Sequence, residues 1–86
     1  MQEKRYNSEL LKLGKRLKYY RNESGLTQLD LELRTGITRS DISKIENGLK
    51  NIEFYTLIKL VVALEVEIHD LFSSEIKNIS KKNSNR

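Results

Sequence analysis

From Leu10 onward the apolar positions advance in steps of three and four: Leu10, Leu13, Leu17 and Tyr20. That spacing returns a side chain to one face of a helix at every turn, so it predicts a first helix with Ser8 as its N-cap and Gly25 as its stop. Gly14 lies inside it at a propensity cost of about 1 kcal/mol. Two readings remain for it, a close backbone contact or an exposed turn that tolerates the loss. Thr27 followed by Asp30 has the spacing of a capping box and opens a short second helix, with Leu31 inward and Gly36 as its stop. Thr38 with Asp41 repeats the device and opens a third helix running to about Asn47, with Ile42 and Ile45 on one face and Gly48 after its end. Two short helices joined by a tight connection make a helix-turn-helix pattern.

In FYTLIKLVVAL, residues 54–64, the positions Phe54, Leu57, Leu60, Val61 and Leu64 share a face. The Val-Val pair has strand propensity, but the helical spacing continues on both sides and no second strand is available to pair with it, so a fourth helix is expected. IHDLF at 68–72 makes a short fifth helix. Residues 75–86 form a basic, Asn- and Ser-rich tail in which Ile76 and Ile79 leave room for one or two helical turns before disorder. The expected organisation is a basic arm at 1–7, one helical domain at 8–74 and this tail. There is no proline to interrupt it.

Composition narrows the class. A chain of 86 residues is too short for a two-lobed enzyme, and with no cysteine it has neither a disulfide nor a thiolate metal site. No apolar run approaches the ~18 residues that cross a bilayer, and MQEKRYNSEL holds no apolar signal segment, so a cytoplasmic protein without membrane contact is expected. The net charge of +4 is modest, but it is segregated. Residues 1–21 carry +5 and 76–86 carry +4, while 51–75 carry −4. Two basic ends around an acidic stretch suit a molecule that turns one side to a polyanion.

The segments LGKRLKYYRNESGLTQLDL, GITRSDISKIENGLKN and TLIKLVVALEVEIHDLF together resemble the Cro/CI (Xre) family of bacterial and phage helix-turn-helix domains, over about residues 10–72. The resemblance implies an all-α, compact five-helix lambda-repressor-like fold. It also implies a sequence-specific transcription regulator, commonly a repressor that binds a palindromic operator as a dimer, with no cofactor. Four positions depart from the family pattern: Glu32 and Thr35 stand at frequent alanines, Ile52 at a frequent proline and Glu65 at a frequent glycine. Glu32 requires either a small helix shift or a carboxylate that points out from the edge.

A helix fits the major groove of B-DNA with its N-terminal side chains at the base edges. With Ile42 and Ile45 inward, Arg39, Ser40, Ser43 and Lys44 become the candidate base readers. Arg39 leads because its planar fork matches guanine O6 and N7, whereas Lys44 reaches either a base or a phosphate. Gln28, at the head of the second helix, matches a glutamine that the family uses on a phosphate. Asn47, Lys50 and Asn51 belong to a loop that in the family runs beside the sugar-phosphate backbone, with Asn47 also suited to cap its helix. Asp41 either closes the cap at Thr38 or accepts from a cytosine amine, and the spacing favours the cap. Arg21 and Glu46 match a family pair that forms a partly buried salt bridge.

Lys12, Lys15, Arg16 and Lys18 cover several faces of the first helix and extend the positive footprint only in part. Of the adjacent Tyr19 and Tyr20, one packs and one rims the helix. His69 is the only histidine, without a second ligand beside it. Neither a phosphate-cradling glycine loop nor an acid–base pair is present, so no enzyme is expected. Val66, Ile68, Leu71, Phe72, Ile76 and Ile79 exceed what one short terminal helix needs to dock, which points to a homodimer through that end. The competing class is a protein-interaction module, such as an antitoxin that binds a toxin partner with or without binding DNA.

Overall fold

Residues 2–7 contain Gln, Glu, Lys and Arg, good helix formers with no apolar stripe to reveal them. In the computed structural model, which describes residues 2–73, they form the opening turns of helix α1, Gln2–Glu23. The helix therefore starts well before Ser8, which is an interior residue instead of an N-cap, and no separate arm precedes it over residues 2–7. Helices α2 (Gln28–Thr35), α3 (Arg39–Glu46) and α4 (Phe54–Leu64) follow where the spacing predicts them.

The expected short fifth helix forms as a 3-10 helix, Ile68–Phe72, not as an α-helix. Five residues leave little room for an i to i−4 ladder, and Asp70 N–H donates to the Glu67 carbonyl at 3.0 Å, a three-residue closure. Reciprocal bonds between Glu67 and Asp70 cap this turn. The architecture is all-α over the described residues, with four α-helices rather than five.

The core gathers one face from every element. Leu17 and Tyr20 come from α1, Leu31 from α2, Ile42 and Ile45 from α3, and Leu57, Leu60, Val61 and Leu64 from α4, with Leu71 closing the end. Helix α1 packs against α3, α2 packs against both α3 and α4, and the 3-10 helix returns to α1. The half-buried Arg16 guanidinium donates to the Leu71 carbonyl at 3.0 Å, so this base ties α1 to the 3-10 helix. Leu71 is 0% exposed within the monomer. Its expected place in a dimer interface is corrected accordingly, because the same apolar pattern serves burial inside one chain.

Phe54 is exposed, against the face its spacing assigns it. It is the first residue of α4, and helical side chains lean toward the N-terminus, so its ring projects past the helix end. Tyr20 packs and Tyr19 rims the core, their rings edge-to-face with centroids 5.2 Å apart. The Tyr20 hydroxyl is buried without a hydrogen-bond partner, and its pKa is raised, first by burial and then by the nearby Asp70 carboxylate.

Gly14 resolves to the close-contact reading: a Cβ there would lie 2.3 Å from the Ile45 carbonyl oxygen and 2.6 Å from that of Glu46. Helix α1 therefore rests backbone to backbone on the end of α3.

Helix α4 ends at Glu65, which adopts φ 59° and ψ 39°, a left-handed conformation that glycine takes without strain. Glu65→Gly is expected to stabilise the fold. Relief of roughly 1–2 kcal/mol of left-handed strain exceeds the roughly 0.4–1 kcal/mol lost to the freer unfolded chain. Thermal unfolding should show a midpoint a few degrees higher, and an unchanged or lower one would refute the strain.

Candidate nucleic-acid interface

The helix-turn-helix is built from its caps outward. Thr27 Oγ1 accepts from Asp30 N–H at 2.9 Å while Asp30 Oδ2 accepts from Thr27 N–H at 2.9 Å, the reciprocal box its spacing predicts. The Thr27 backbone N–H, and after it the Thr27 hydroxyl, hold the Asp30 carboxyl below its usual pKa. Helix α2 stops at Gly36, whose N–H still donates to the Glu32 carbonyl while its φ of 80° turns the chain out of the helix. Thr35 bonds back to the Leu31 carbonyl and accepts from Ile37 N–H. That second contact, available to no alanine, fixes the turn into α3.

At α3 only half of the expected box forms. Thr38 Oγ1 accepts from Asp41 N–H at 3.1 Å, while the Asp41 carboxylate lies 4.0 Å from Lys50 Nζ. Asp41 thus faces the basic residue of the following loop. The other carboxylate at this end comes from α2. Glu32 Oε1 accepts from Arg39 N–H at 2.8 Å, the outward-pointing solution for a residue at a usual alanine. It takes a first-turn N–H of α3 that lacks an intrahelical partner.

Ile42 and Ile45 are buried, and Arg39, Ser40 and Lys44 are exposed on the opposite side, with Ser43 half-buried. Arg39 also lines a shallow depression of about 420 Å³ shared with Asn22, Thr27, Gln28 and Leu29. The leading base-reading candidate and the leading phosphate candidate are thereby brought together. At the other end of α3, Asn47 Nδ2 donates to the Ser43 carbonyl at 2.9 Å, so this residue caps its helix. Gly48, at φ 71°, lies against Leu11 of α1. Leu49, Lys50 and Asn51 are exposed after it.

Beneath this surface lies a network that joins three elements. Arg21 Nε and Nη2 donate to the two oxygens of Glu46 at 2.6 and 3.0 Å, and Nη1 donates to the Leu26 carbonyl at 2.8 Å. Both side chains are almost fully buried, at 9% and 3% exposed. The Glu46 carboxylate has a third donor, Gln28 Nε2 at 3.0 Å. Sequence spacing gives no sign of this contact, because 18 residues and a turn separate the partners.

Val66 and Ile68 are half-buried against the core and Phe72 is exposed, whereas Ile76 and Ile79 lie outside the described residues, as does the tail at 75–86. His69 lies 3.5 Å from Asp70, and among the described residues no group of three His, Cys, Asp or Glu is placed to hold a metal ion. No helix among them is long and apolar enough to cross a membrane.

Comparison with known proteins agrees with this geometry. The transcriptional regulator SinR of Bacillus licheniformis is 33% identical over 64 residues, which cover 73% of this chain and 58% of SinR. The restriction-modification controller protein C.AhdI from Aeromonas hydrophila superposes with a TM-score of 0.72 at 34% identity, over 74% of this chain and 97% of that one. The biofilm master regulator SinR, solved in complex with DNA, gives a TM-score of 0.67 at 34% identity, over 71% and 98%. Against its full-length SinR relative, then, the chain spans less than two thirds of the length. Residues 17–71 match the helix-turn-helix family, so the stretch from the middle of α1 to Leu71 identifies the chain as a member of the helix-turn-helix family of Cro/CI type.

Proposed function

We propose that the chain is a sequence-specific, double-stranded-DNA-binding transcriptional regulator, a repressor that reads a palindromic operator as a homodimer through α3. The observation that carries the reading is the exposed face of α3, with Arg39, Ser40, Ser43 and Lys44, bounded by Gln28 at one end and by Lys50 and Asn51 at the other. Groups that can read bases are flanked by groups that can hold phosphates, the division of labour such interfaces use. Asn47 joins the phosphate-directed set through the second hydrogen of its side-chain amide, since the first is held by the Ser43 carbonyl and its backbone N–H by the end of α3. No cofactor is required, and the place of action is the cytoplasm.

Selection of bound duplexes from a random pool at ~0.15 M salt tests the reading, because specific sites bind roughly 10³–10⁷-fold tighter than others. Failure to enrich any motif would overturn it. On the selected site, Arg39→Ala is expected to lose about 1–3 kcal/mol and to relax preference at one position of each half-site. Lys50→Ala should instead weaken all duplexes alike and lower the salt slope by about one. An unchanged preference profile in the first variant, or an unchanged slope in the second, would remove that residue from its role.

The homodimer follows from contact area. One domain of this size covers only roughly 600–1,000 Å² of DNA, and two-fold repetition doubles that at half-sites about 34 Å apart. Phe72, exposed beside half-buried Val66 and Ile68, leads into the stretch that contains Ile76 and Ile79. Sedimentation equilibrium at tens of micromolar should report a dimer for the full chain and a weaker one for Phe72→Ser. A monomeric full chain would exclude the arrangement.

A further inference from the structure

We infer that Glu46 is a positioning residue for the DNA backbone contact, acting through the side-chain amide of Gln28. The inference rests on the DNA-binding reading and assigns the buried carboxylate a task beyond its ion pair with Arg21. A carboxylate only accepts hydrogen bonds, so the bond at 3.0 Å to Glu46 Oε1 fixes which way round the Gln28 amide sits. Nε2 faces Glu46, and its second N–H remains for an outside acceptor. Gln28 is the first residue of α2, where the Gln28 and Leu29 N–H groups have no partner among the described residues. An amide hydrogen and two backbone N–H groups then converge at a helix start, which suits a phosphate oxygen.

The geometry also explains why a negative charge is tolerated there. Two Arg21 donors neutralise Glu46, and the third Arg21 nitrogen holds the Leu26 carbonyl in the turn that leads to α2. Glu46 is 4% exposed, so its charge lies under the surface and Gln28 alone presents it outward, as an oriented amide. A glutamine already fixed in the free protein has less side-chain freedom to lose on binding DNA than a solvated one.

A double-substitution cycle separates positioning from mere folding. In the otherwise natural chain, Glu46→Gln should weaken binding to a duplex by roughly 2- to 10-fold, the range expected when one side chain loses its pre-organisation. In the Gln28→Ala background the same change should have almost no effect. Equal losses in both backgrounds would overturn the inference while leaving the DNA-binding reading intact; a natural chain that binds no duplex would defeat both.

A second measurement needs no substitution at Glu46 and so survives a variant that fails to fold. Gln2 and Gln28 are the only glutamines, and Gln2 is exposed at the start of α1. Nitrogen-15 relaxation should give the Gln28 side-chain amide an order parameter near that of rigid backbone, about 0.85, with Gln2 below about 0.6. A Gln28 amide as mobile as that of Gln2 would overturn the inference.

Discussion

Gly14→Ala is expected to destabilise the domain by about 3 kcal/mol or more, although alanine is the better helix former by about 1 kcal/mol. The two effects have opposite signs, and the contact decides. The added carbon would meet the Ile45 carbonyl oxygen at 2.3 Å, the Glu46 carbonyl oxygen at 2.6 Å and the Glu46 carbonyl carbon at 2.8 Å. All three are backbone atoms and cannot step aside by changing rotamer. Relief requires α1 to lift from α3, and the Arg21–Glu46 pair joins the same two helices two turns farther along the same face of α1. For a domain of this size each kcal/mol moves the thermal midpoint by about 4–8 °C, so a fall of roughly 12–24 °C is expected. Calorimetry on the two proteins decides the matter. A midpoint raised by a few degrees, as propensity alone would give, would show that the helices are not in backbone contact.

Loss of either partner of the buried ion pair should be the next largest effect. Arg21→Ala leaves the Glu46 carboxylate with only the Gln28 amide, and Glu46→Ala leaves a guanidinium held only by the Leu26 carbonyl. Each is expected to cost about 3–5 kcal/mol, because a buried charge without its counter-charge is strongly disfavoured. Replacing both at once, Arg21→Met with Glu46→Leu, should recover much of that loss, since a buried pair stabilises little over apolar side chains of similar volume. Urea unfolding of the three variants gives the comparison. If the double variant were as unstable as the sum of the single ones, the packing around the pair, and not its charge, would be what the fold needs.

Much of the fold was legible because it is written locally. Thr27 and Asp30 announce a cap within four residues, and the apolar steps of Leu31, Ile42, Ile45, Leu57 and Leu60 need only a helical period to be read. The start of α1 was hidden because residues 2–7 carry helix propensity without amphipathicity. Leu71 was assigned to a dimer face because a sequence pattern states that a side chain is buried without stating by which chain. The short last helix was placed at the right residues, 68–72, but not given its type: IHDLF has helical faces, and only its length and the closure at Glu67 favour the tighter 3-10 form.

Of the interface, the outward residues of α3 follow from subtracting its inward ones, so Arg39, Ser40 and Lys44 were accessible from spacing. The side-chain bonds between elements were not. Glu32 had no visible partner, since the Arg39 N–H it meets belongs to another helix. Asp41 was paired by spacing with its own cap, yet its carboxylate lies toward Lys50, nine positions on, because the loop after α3 folds back along the helix.

The two carboxylates that cross between α2 and α3 do so at opposite ends of α3. Glu32 of α2 holds the first N–H of α3, while Glu46, the last residue of α3, holds the first side chain of α2. A pair of rods joined at two separated points behaves as a braced frame. Neither helix can slide along the other without parting one of the joints. On the proposed DNA-binding reading, the span from Gln28 to Arg39 would act as a ruler of fixed length, sensitive to how far a phosphate lies from a base edge as well as to which base is there.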